Sequence, residues 1–354
     1  WASIGFLQEI DTQKYDVHVI SDKDAFLYTP YLAQNVRHGY NITVHHKSLN
    51  KKITFHTKRV QDINIAKQCL STIDQNEGEK TEEHSYQSLV FAHGAGVNTF
   101  GIQGVQENTL FLKIAEHDSE IRAHLKHLNN GATVAVIGCG LTGSELVGTL
   151  LDYEKYNVVA IDAMERPLLS FEVGLSNKAI ELWEKENVTM HFKSMVTKIQ
   201  EKQIEIKGKP DVPFDLAIWC GGIKATPFTR KINEVLGLEN QRGIPVGPDL
   251  RVENTKHIYA MGDCAASSYP PTAQVAFQQG RYLAKEFNEN FSHKRRFEYN
   301  DNGQICYIGR GNSIYQSKML SGSGRIVYHL NNFIHLYNFI KGTQVPFKSL
   351  LPVK

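Results

Sequence analysis

Three glycines, Gly138, Gly140 and Gly143, stand in the GxGxxG spacing that lets a backbone cradle a pyrophosphate. Gly138 suits the tight turn, Gly140 admits phosphate oxygens close to the main chain, and Gly143 lets a helix lie directly on a strand. A helix that starts here turns free N–H groups and the positive end of its dipole toward the anion. Asp162 follows 24 positions after Gly138, near the roughly 20 at which a carboxylate accepts hydrogen bonds from a ribose 2′-hydroxyl. A carboxylate there repels a 2′-phosphate, so the two signals together favour NAD(H) over NADP(H). The competing reading is a glycine-rich turn with no ligand.

The surrounding sequence supplies the elements this chemistry needs. The apolar, β-branched run Thr133 to Ile137 reads as a buried parallel strand. Ser144 to Asp152 is compatible with a helix, and Asn157 to Ile161 is a second strand that ends at Asp162. Further strands are expected over Asp16–Ile20, Ser88–Ala92, Leu216–Trp219 and Ile258–Met261, and helices over Ala2–Ile10, Glu116–Leu128, around Asn177–Glu186, and over Ala273–Phe287. Ligands of parallel sheets bind at strand carboxyl ends. That makes Gly94-Ala95-Gly96, Cys220-Gly221-Gly222 and Gly262-Asp263-Cys264 candidate site loops. Asp263 can accept bonds from a ribityl chain where Gly262 permits close approach, or it can simply cap a helix. The opening helix and strand look like the second half of a βαβ unit, so the expectation is that its first strand and phosphate loop are missing. The other reading is an ordinary domain that opens on an amphipathic helix. Residues 41 to 64 alternate (ITVHH, ITFHT) as half-buried antiparallel strands do. Asp74 to His84 reads as a solvated hairpin or loop with no metal role.

At 354 residues the chain exceeds one typical core, so two domains are expected. Its 41% hydrophobic and 21% charged content is ordinary for a globular chain, and a net charge of +2 points to no nucleic-acid partner. No apolar run approaches the roughly 20 residues of a membrane-spanning helix. Five cysteines lack CxxC spacing, which argues against a disulfide framework, a zinc site or a redox dithiol and suits a reducing compartment. Cys139, between two loop glycines, reads as a packed thiol. His124 and His127 read as a solvated helix face, and His45-His46 point to opposite faces of a strand; no metal ligands are assigned.

Four segments carry a family likeness: LVFAHGAGVNTFGIQGV (Leu89 to Val105), AIWCGGIKATPF (Ala217 to Phe228), IYAMGDCA (Ile258 to Ala265) and PPTAQVAFQQGRYLAKEFN (Pro270 to Asn288). They resemble type II NADH:quinone dehydrogenases, single-subunit flavoproteins of membrane surfaces, and the likeness runs almost end to end. AQVAFQQG is the most specific block, and the TPYL loop looks more like the mitochondrial members. The resemblance implies an α/β fold with two Rossmann-like dinucleotide-binding domains. A discontinuous FAD-binding domain takes residues 1–109 and 226–300, an NADH-binding domain is inserted at 110–225, and a C-terminal amphipathic membrane-association region covers 301–354. It implies FAD and NADH as cofactors, a quinone as acceptor, peripheral association with the mitochondrial inner membrane, and a possible homodimer.

It also implies roles, residue by residue. Ser21 and Lys23 face the adenosine ribose of FAD, and Val60 its adenine. Thr29 and Pro30 lie near the flavin, Ala92 and Gly94 line the cofactor, and Gly262 and Asp263 hold the ribityl–pyrophosphate side. Ala273, Gln274 and Val275 complete the FAD contacts. Gly138, Gly140, Leu141, Thr142 and Gly143 hold the NADH phosphates, Asp162 its ribose, and Gly221 and Gly222 flank the nicotinamide. Catalytic roles fall to Glu145, near the nicotinamide, and to Gln274 and Gln278. The two glutamines are four apart and share a helix face, where their amides can both donate to and accept from a quinone; the plainer reading is that they bond backbone. For Glu145 the plainer reading is a first-turn acid stabilised by the helix dipole.

Ile326, Val327, Leu330, Phe333, Ile334, Tyr337 and Ile340 recur at helical spacing, with Arg325, Lys341 and Lys348 beside or after them. Such a stripe fits an interfacial helix or a core-packing or dimer helix. Two rival functions stay open: a soluble NADH-dependent flavoprotein reductase with another acceptor, and a catalytically silent NAD(H) sensor. A sulfide:quinone enzyme is disfavoured because no paired cysteines are evident.

Overall fold

A computed structural model of the chain describes residues 1–50, 52–74, 80–239, 242–293 and 295–343. Five parallel strands form the central sheet, in the order Leu110–Phe111, Leu216–Trp219, Thr133–Ile137, Asn157–Ile161, Thr189–His191. Burial of both faces, which alternate residue by residue, explains why the inner strands are mostly apolar. Val134, Val136, Val158, Ala160 and Ile218 face the helices Ala115–His127 and Leu141–Leu151. Ala135, Ile137, Val159, Ile161 and Ala217 face a small antiparallel sheet, Val196–Ile199, Gln203–Ile206 and Val212–Pro213.

The remainder of the first 300 residues holds, among the described residues, three further parallel pairs, His18–Ser21 with Thr54–Thr57, Leu89–Phe91 with Ile258–Ala260, and Ile244–Pro245 with Ala265–Ala266. An antiparallel sheet, Arg59–Asn64, Cys69–Ile73 and Thr81–Ser85, lies beside them. Helices Ala2–Glu9 and Ala273–Asn288 pack with their backbones nearly touching. A Cβ on Gly5 would lie 2.2 Å from the Phe277 carbonyl oxygen, and one on Gly280 would lie 2.0 Å from that of Ala2.

Several expectations need correction. The ITFHT segment is not antiparallel: Thr54–Thr57 runs parallel to His18–Ser21. Alternation reports burial on one face and carries no information on strand direction. By contrast, the hairpin reading of Asp74 to His84 agrees with the strand Thr81–Ser85, which pairs antiparallel with Cys69–Ile73; residues 75–79 lie outside the described residues. Helices Leu141–Leu151 and Val173–Lys185 start earlier than the sequence suggested. The segment 301–354 is also not one amphipathic unit. It opens with an antiparallel sheet, Gln304–Gly309, Asn312–Gln316 and Ser321–Gly324, and only then forms the helix Arg325–Thr343. That sheet packs closely on the helix Leu141–Leu151, where a Cβ on Gly148 would lie 2.5 Å from the Gly309 nitrogen. Lys348 lies outside the described residues.

Candidate functional site

The carboxyl ends of Thr133–Ile137, Asn157–Ile161 and Leu216–Trp219 meet where the strand order reverses, the place at which open α/β sheets hold ligands. The three loop glycines behave differently there. Gly138 takes φ 95°, and a Cβ on it would lie 2.8 Å from the Gly221 nitrogen. At Gly143 a Cβ would lie 1.8 Å from the Gly138 carbonyl oxygen, so only glycine lets this helix sit on its strand. A Cβ on Gly140 would meet nothing within 4 Å. Two of the glycines serve the fold; the third faces open space at the start of the helix Leu141–Leu151, whose first residues include Leu141 and Thr142.

Asp162 closes the next strand end. One carboxylate oxygen accepts the Cys139 N–H at 2.5 Å, and the other accepts the Met164 N–H at 2.8 Å. The carboxylate therefore braces the glycine loop. Gly221 and Gly222 border the same crevice. The aromatic rings of Trp219 and Phe100 fill the space a side chain would need: a Cβ on Gly221 would lie 3.1 Å from Trp219, and one on Gly222 would lie 2.9 Å from Phe100. Cys139 is buried, as a packed thiol would be, and burial pushes its pKa well up.

The loops of the other parallel pairs carry the remaining predicted positions. Gly94 and Gly262 both take φ 72°, and a Cβ on Gly94 would meet nothing within 4 Å. Asp263 lies 3.6 Å from the Lys113 ammonium. Ala92 directly follows the strand Leu89–Phe91. Ser21 accepts the Lys23 N–H at 3.1 Å, and the Lys23 ammonium pairs with Glu116 at 3.1 Å. The Ser21 carbonyl accepts the Lys58 N–H at 2.8 Å, which brings Val60 alongside. Thr29 and Pro30 form a tight turn, Thr29–Tyr31, in which the Thr29 hydroxyl accepts from the Trp1 indole at 2.9 Å. Ala273, Gln274 and Val275 form the first turn of their helix, capped by the Thr272 hydroxyl, which accepts the Val275 N–H at 3.2 Å.

The three predicted catalytic residues differ in their surroundings. Glu145 is not in the first turn of its helix, which contains no acid, so the dipole account does not apply. It is 8% exposed, and among the described residues its carboxylate has one weak partner, the Tyr307 N–H at 3.5 Å. Burial pushes its carboxyl pKa up to about 8, slightly offset by that N–H. Gln274 and Gln278 both bond backbone. Gln274 donates to the Gly303 carbonyl and accepts from Asn302 N–H and Tyr299 O–H. Gln278 exchanges two bonds with the Asn300 backbone at 2.8 and 2.9 Å. The pair thus stitches residues 299–303 to the helix.

Sequence reasoning passed over Gln279, which is fully buried. Its amide oxygen accepts the Gly262 N–H at 2.7 Å, and its amide nitrogen donates to the Ser267 hydroxyl at 3.2 Å. It fixes the loop that carries Asp263. An amide four residues after Val275 and four before Leu283, on the helix face that carries those apolar residues, was the available signal.

The sequence pattern of pyridine nucleotide-disulphide oxidoreductases matches residues 1–280. The chain is 27% identical to a probable NADH dehydrogenase of Dictyostelium discoideum, over 92% of this chain and 81% of that one. It is 29% identical to the mitochondrial external alternative NADH-ubiquinone oxidoreductase of Yarrowia lipolytica, over 81% of this chain and 58% of that one. The fold superposes on NDH2 of Plasmodium falciparum, solved in complex with NADH, with a TM-score of 0.89 at 19% identity, covering 100% of this chain and 98% of that one.

Proposed function

The chain belongs to the pyridine nucleotide-disulphide oxidoreductase family, and within it we propose a type II NADH dehydrogenase that uses FAD to oxidise NADH and reduce a quinone without pumping protons. The crevice at the strand reversal carries this reading, with its open phosphate position at Gly140 and the Asp162 carboxylate at the next strand end. The name of the Yarrowia lipolytica relative supports a ubiquinone acceptor and a mitochondrial location.

In this reading the backbone N–H groups that open the helix Leu141–Leu151 hold the NADH phosphates, and Asp162 holds the ribose hydroxyls. Gly94 and Gly262 both have the positive φ, and Gly94 also the open space, for their loops to accept FAD, with Asp263 on its ribityl side and Gln279 holding that loop in place. The flavin supplies hydride acceptance and onward release of electrons, chemistry that no side chain offers. The protein orients the two rings and excludes water. Glu145 keeps a proton at neutral pH beside the nicotinamide position. Gln274 and Gln278 shape the acceptor side through the segment 299–303.

The test is spectroscopic. Purified protein should be yellow, bleach on adding NADH without oxygen, and recover colour when a short-chain quinone follows. Asp162→Ala should cost NADH roughly tenfold or more in KM and narrow its advantage over NADPH, since a charged hydrogen bond is worth about 1.5–3 kcal/mol. A colourless protein that binds NADH would favour the sensor; bleaching that quinone does not reverse would favour another acceptor.

We also propose that the helix Arg325–Thr343 docks on the membrane surface, at the mitochondrial inner membrane. Among the described residues no helix is long and apolar enough to cross a membrane. This helix buries Asn331, His335 and Phe339 against the body and turns Ile326 (87% exposed), Phe333 (63%) and Tyr337 outward, with Leu330 and Ile340. Val327 and Ile334 are half-buried and belong to neither face. An outward apolar face beside Arg325 and Lys341 suits an anionic lipid surface. Replacing Ile326 and Phe333 together by Asp should lower binding to cardiolipin-containing vesicles about tenfold or more, given about 1.5–3 kcal/mol per buried large side chain. Vesicle binding that is unchanged, with a halved mass in solution, would instead assign the face to a homodimer.

A further inference from the structure

His56, on the strand Thr54–Thr57, and Glu82 and His84, on Thr81–Ser85, each offer one ligand atom, and these atoms lie within 4.8 Å of one another. We propose that these three side chains form a binding site for a divalent transition-metal ion, zinc or a close analogue, apart from the dinucleotide crevice.

The strands explain the convergence. Glu82 and His84 are two apart, so they project from one face of their strand. The His56 ring reaches that face, its centroid 4.9 Å from the His84 ring. A carboxylate oxygen of Glu82 lies 3.7 Å from His84 Nε2. Two imidazoles and a carboxylate are the donor set that zinc accepts with one position left open.

The neighbours orient the donors as outer-shell groups do in metal sites. Asp16 sits 3.1 Å from His18 Nε2, which places the His18 proton on that nitrogen. His18 Nδ1 then accepts from His56 Nε2 at 3.0 Å. A neutral His56 that donates through Nε2 carries its lone pair on Nδ1. For His84, the Thr72 hydroxyl lies 3.0 Å from Nε2 and has a second acceptor, the Glu82 carbonyl, at 3.4 Å. The hydroxyl can turn to that carbonyl and release the nitrogen lone pair to a metal. Lys58 pairs with the second Glu82 oxygen. It holds the carboxylate in place but also opposes a cation, so it weakens the site.

An ion bound here would add a bridge between two sheets that Lys58 already links: the parallel pair that ends at Ser21 and the antiparallel sheet that begins at Arg59. The sequence spacing marks only the pair Glu82 and His84; His56 comes from a different strand, so the full set is visible only in the fold.

The full chain, stripped with a chelator, should be titrated with zinc chloride alone by calorimetry, and with cobalt(II) to read its visible absorption. One micromolar-range site is expected. His56→Gln and His84→Gln should each weaken it at least about 100-fold, and His18→Ala by roughly 10–100-fold as an outer-shell change. Lys58→Met should tighten it several-fold. Zinc should raise the thermal midpoint of the parent chain and of Lys58→Met but not of His56→Gln or His84→Gln, all four sharing one midpoint in chelator. The proposal fails if zinc binds the parent chain only in the millimolar range. It also fails if His56→Gln and His84→Gln bind as the parent does, or if Lys58→Met leaves affinity unchanged or lower.

Discussion

Gly143→Ala is expected to weaken NADH binding roughly 100-fold or more and to lower the thermal midpoint, whereas Gly140→Ala is expected to do only the first. The contrast rests on what each new methyl would meet. At Gly143 it would lie 1.8 Å from the Gly138 carbonyl oxygen and 2.9 Å from that carbonyl carbon. Both are backbone atoms of the turn, so the helix Leu141–Leu151 must lift off its strand. Overpacking of this kind costs about 3 kcal/mol, and it also moves the N–H groups aimed at the phosphates. At Gly140 the methyl would meet nothing within 4 Å, so the fold should not register it. A pyrophosphate should, because the methyl occupies the space through which phosphate oxygens approach the main chain. A loss of roughly 100-fold in affinity, about 3 kcal/mol, is expected for Gly140→Ala at an unchanged midpoint. Titration of NADH by fluorescence, paired with thermal unfolding, separates the two variants. Normal NADH affinity in Gly140→Ala would remove the phosphate assignment, however the Gly143 variant behaves.

That contrast shows what was legible in the sequence. The GxGxxG turn, its strand and its following acid are local, and the strands Thr133–Ile137, Asn157–Ile161 and Leu216–Trp219 fall where the apolar runs placed them. Burial on both faces writes a continuous apolar signal into a short stretch of chain. What failed to show was long-range. The direction of Thr54–Thr57 depends on which strand it pairs with. The partners of Gln274 and Gln278 come from residues 299–303, beyond the helix that spacing can describe. The stripe on Arg325–Thr343 was visible, but which face turns outward depends on Tyr28, Gln34 and Tyr31, which surround His335. Spacing alone also could not have told that Asp162 spends both carboxylate oxygens on backbone N–H groups.

Glu145→Gln is expected to flatten the pH dependence of stability above neutrality. Burial holds the Glu145 carboxyl near pKa 8, against 4.5 in an unfolded chain. Between those values the folded chain keeps a proton that the unfolded chain has released, so stability falls as pH rises through this window and levels off above about 8. The slope is about 1.4 kcal/mol per pH unit for one proton. His335 acts in the opposite sense. Burial lowers its pKa from 6.5 to about 4, so its contribution is complete above pH 6.5 and is lost as pH falls toward 4. From about pH 4.5 to 6.5 the two slopes oppose each other; from 6.5 to 8 the Trp1 α-amino group, whose pKa burial lowers to about 6, opposes Glu145, and comparison with Glu145→Gln cancels that contribution. Denaturant unfolding at pH 6.5, 7.25 and 8 should therefore show the parent chain losing about 2 kcal/mol relative to Glu145→Gln. Parallel curves would mean that the carboxyl is not protonated in the folded chain. The same proton bears on catalysis, since a group with a pKa near the working pH is suited to holding and passing one. If Glu145 serves the nicotinamide side, Glu145→Gln should lower kcat/KM at least about tenfold and erase a limb of the pH–rate profile near 8. A variant that gains stability at pH 8 and keeps the parent's profile would make the residue a buried structural acid only.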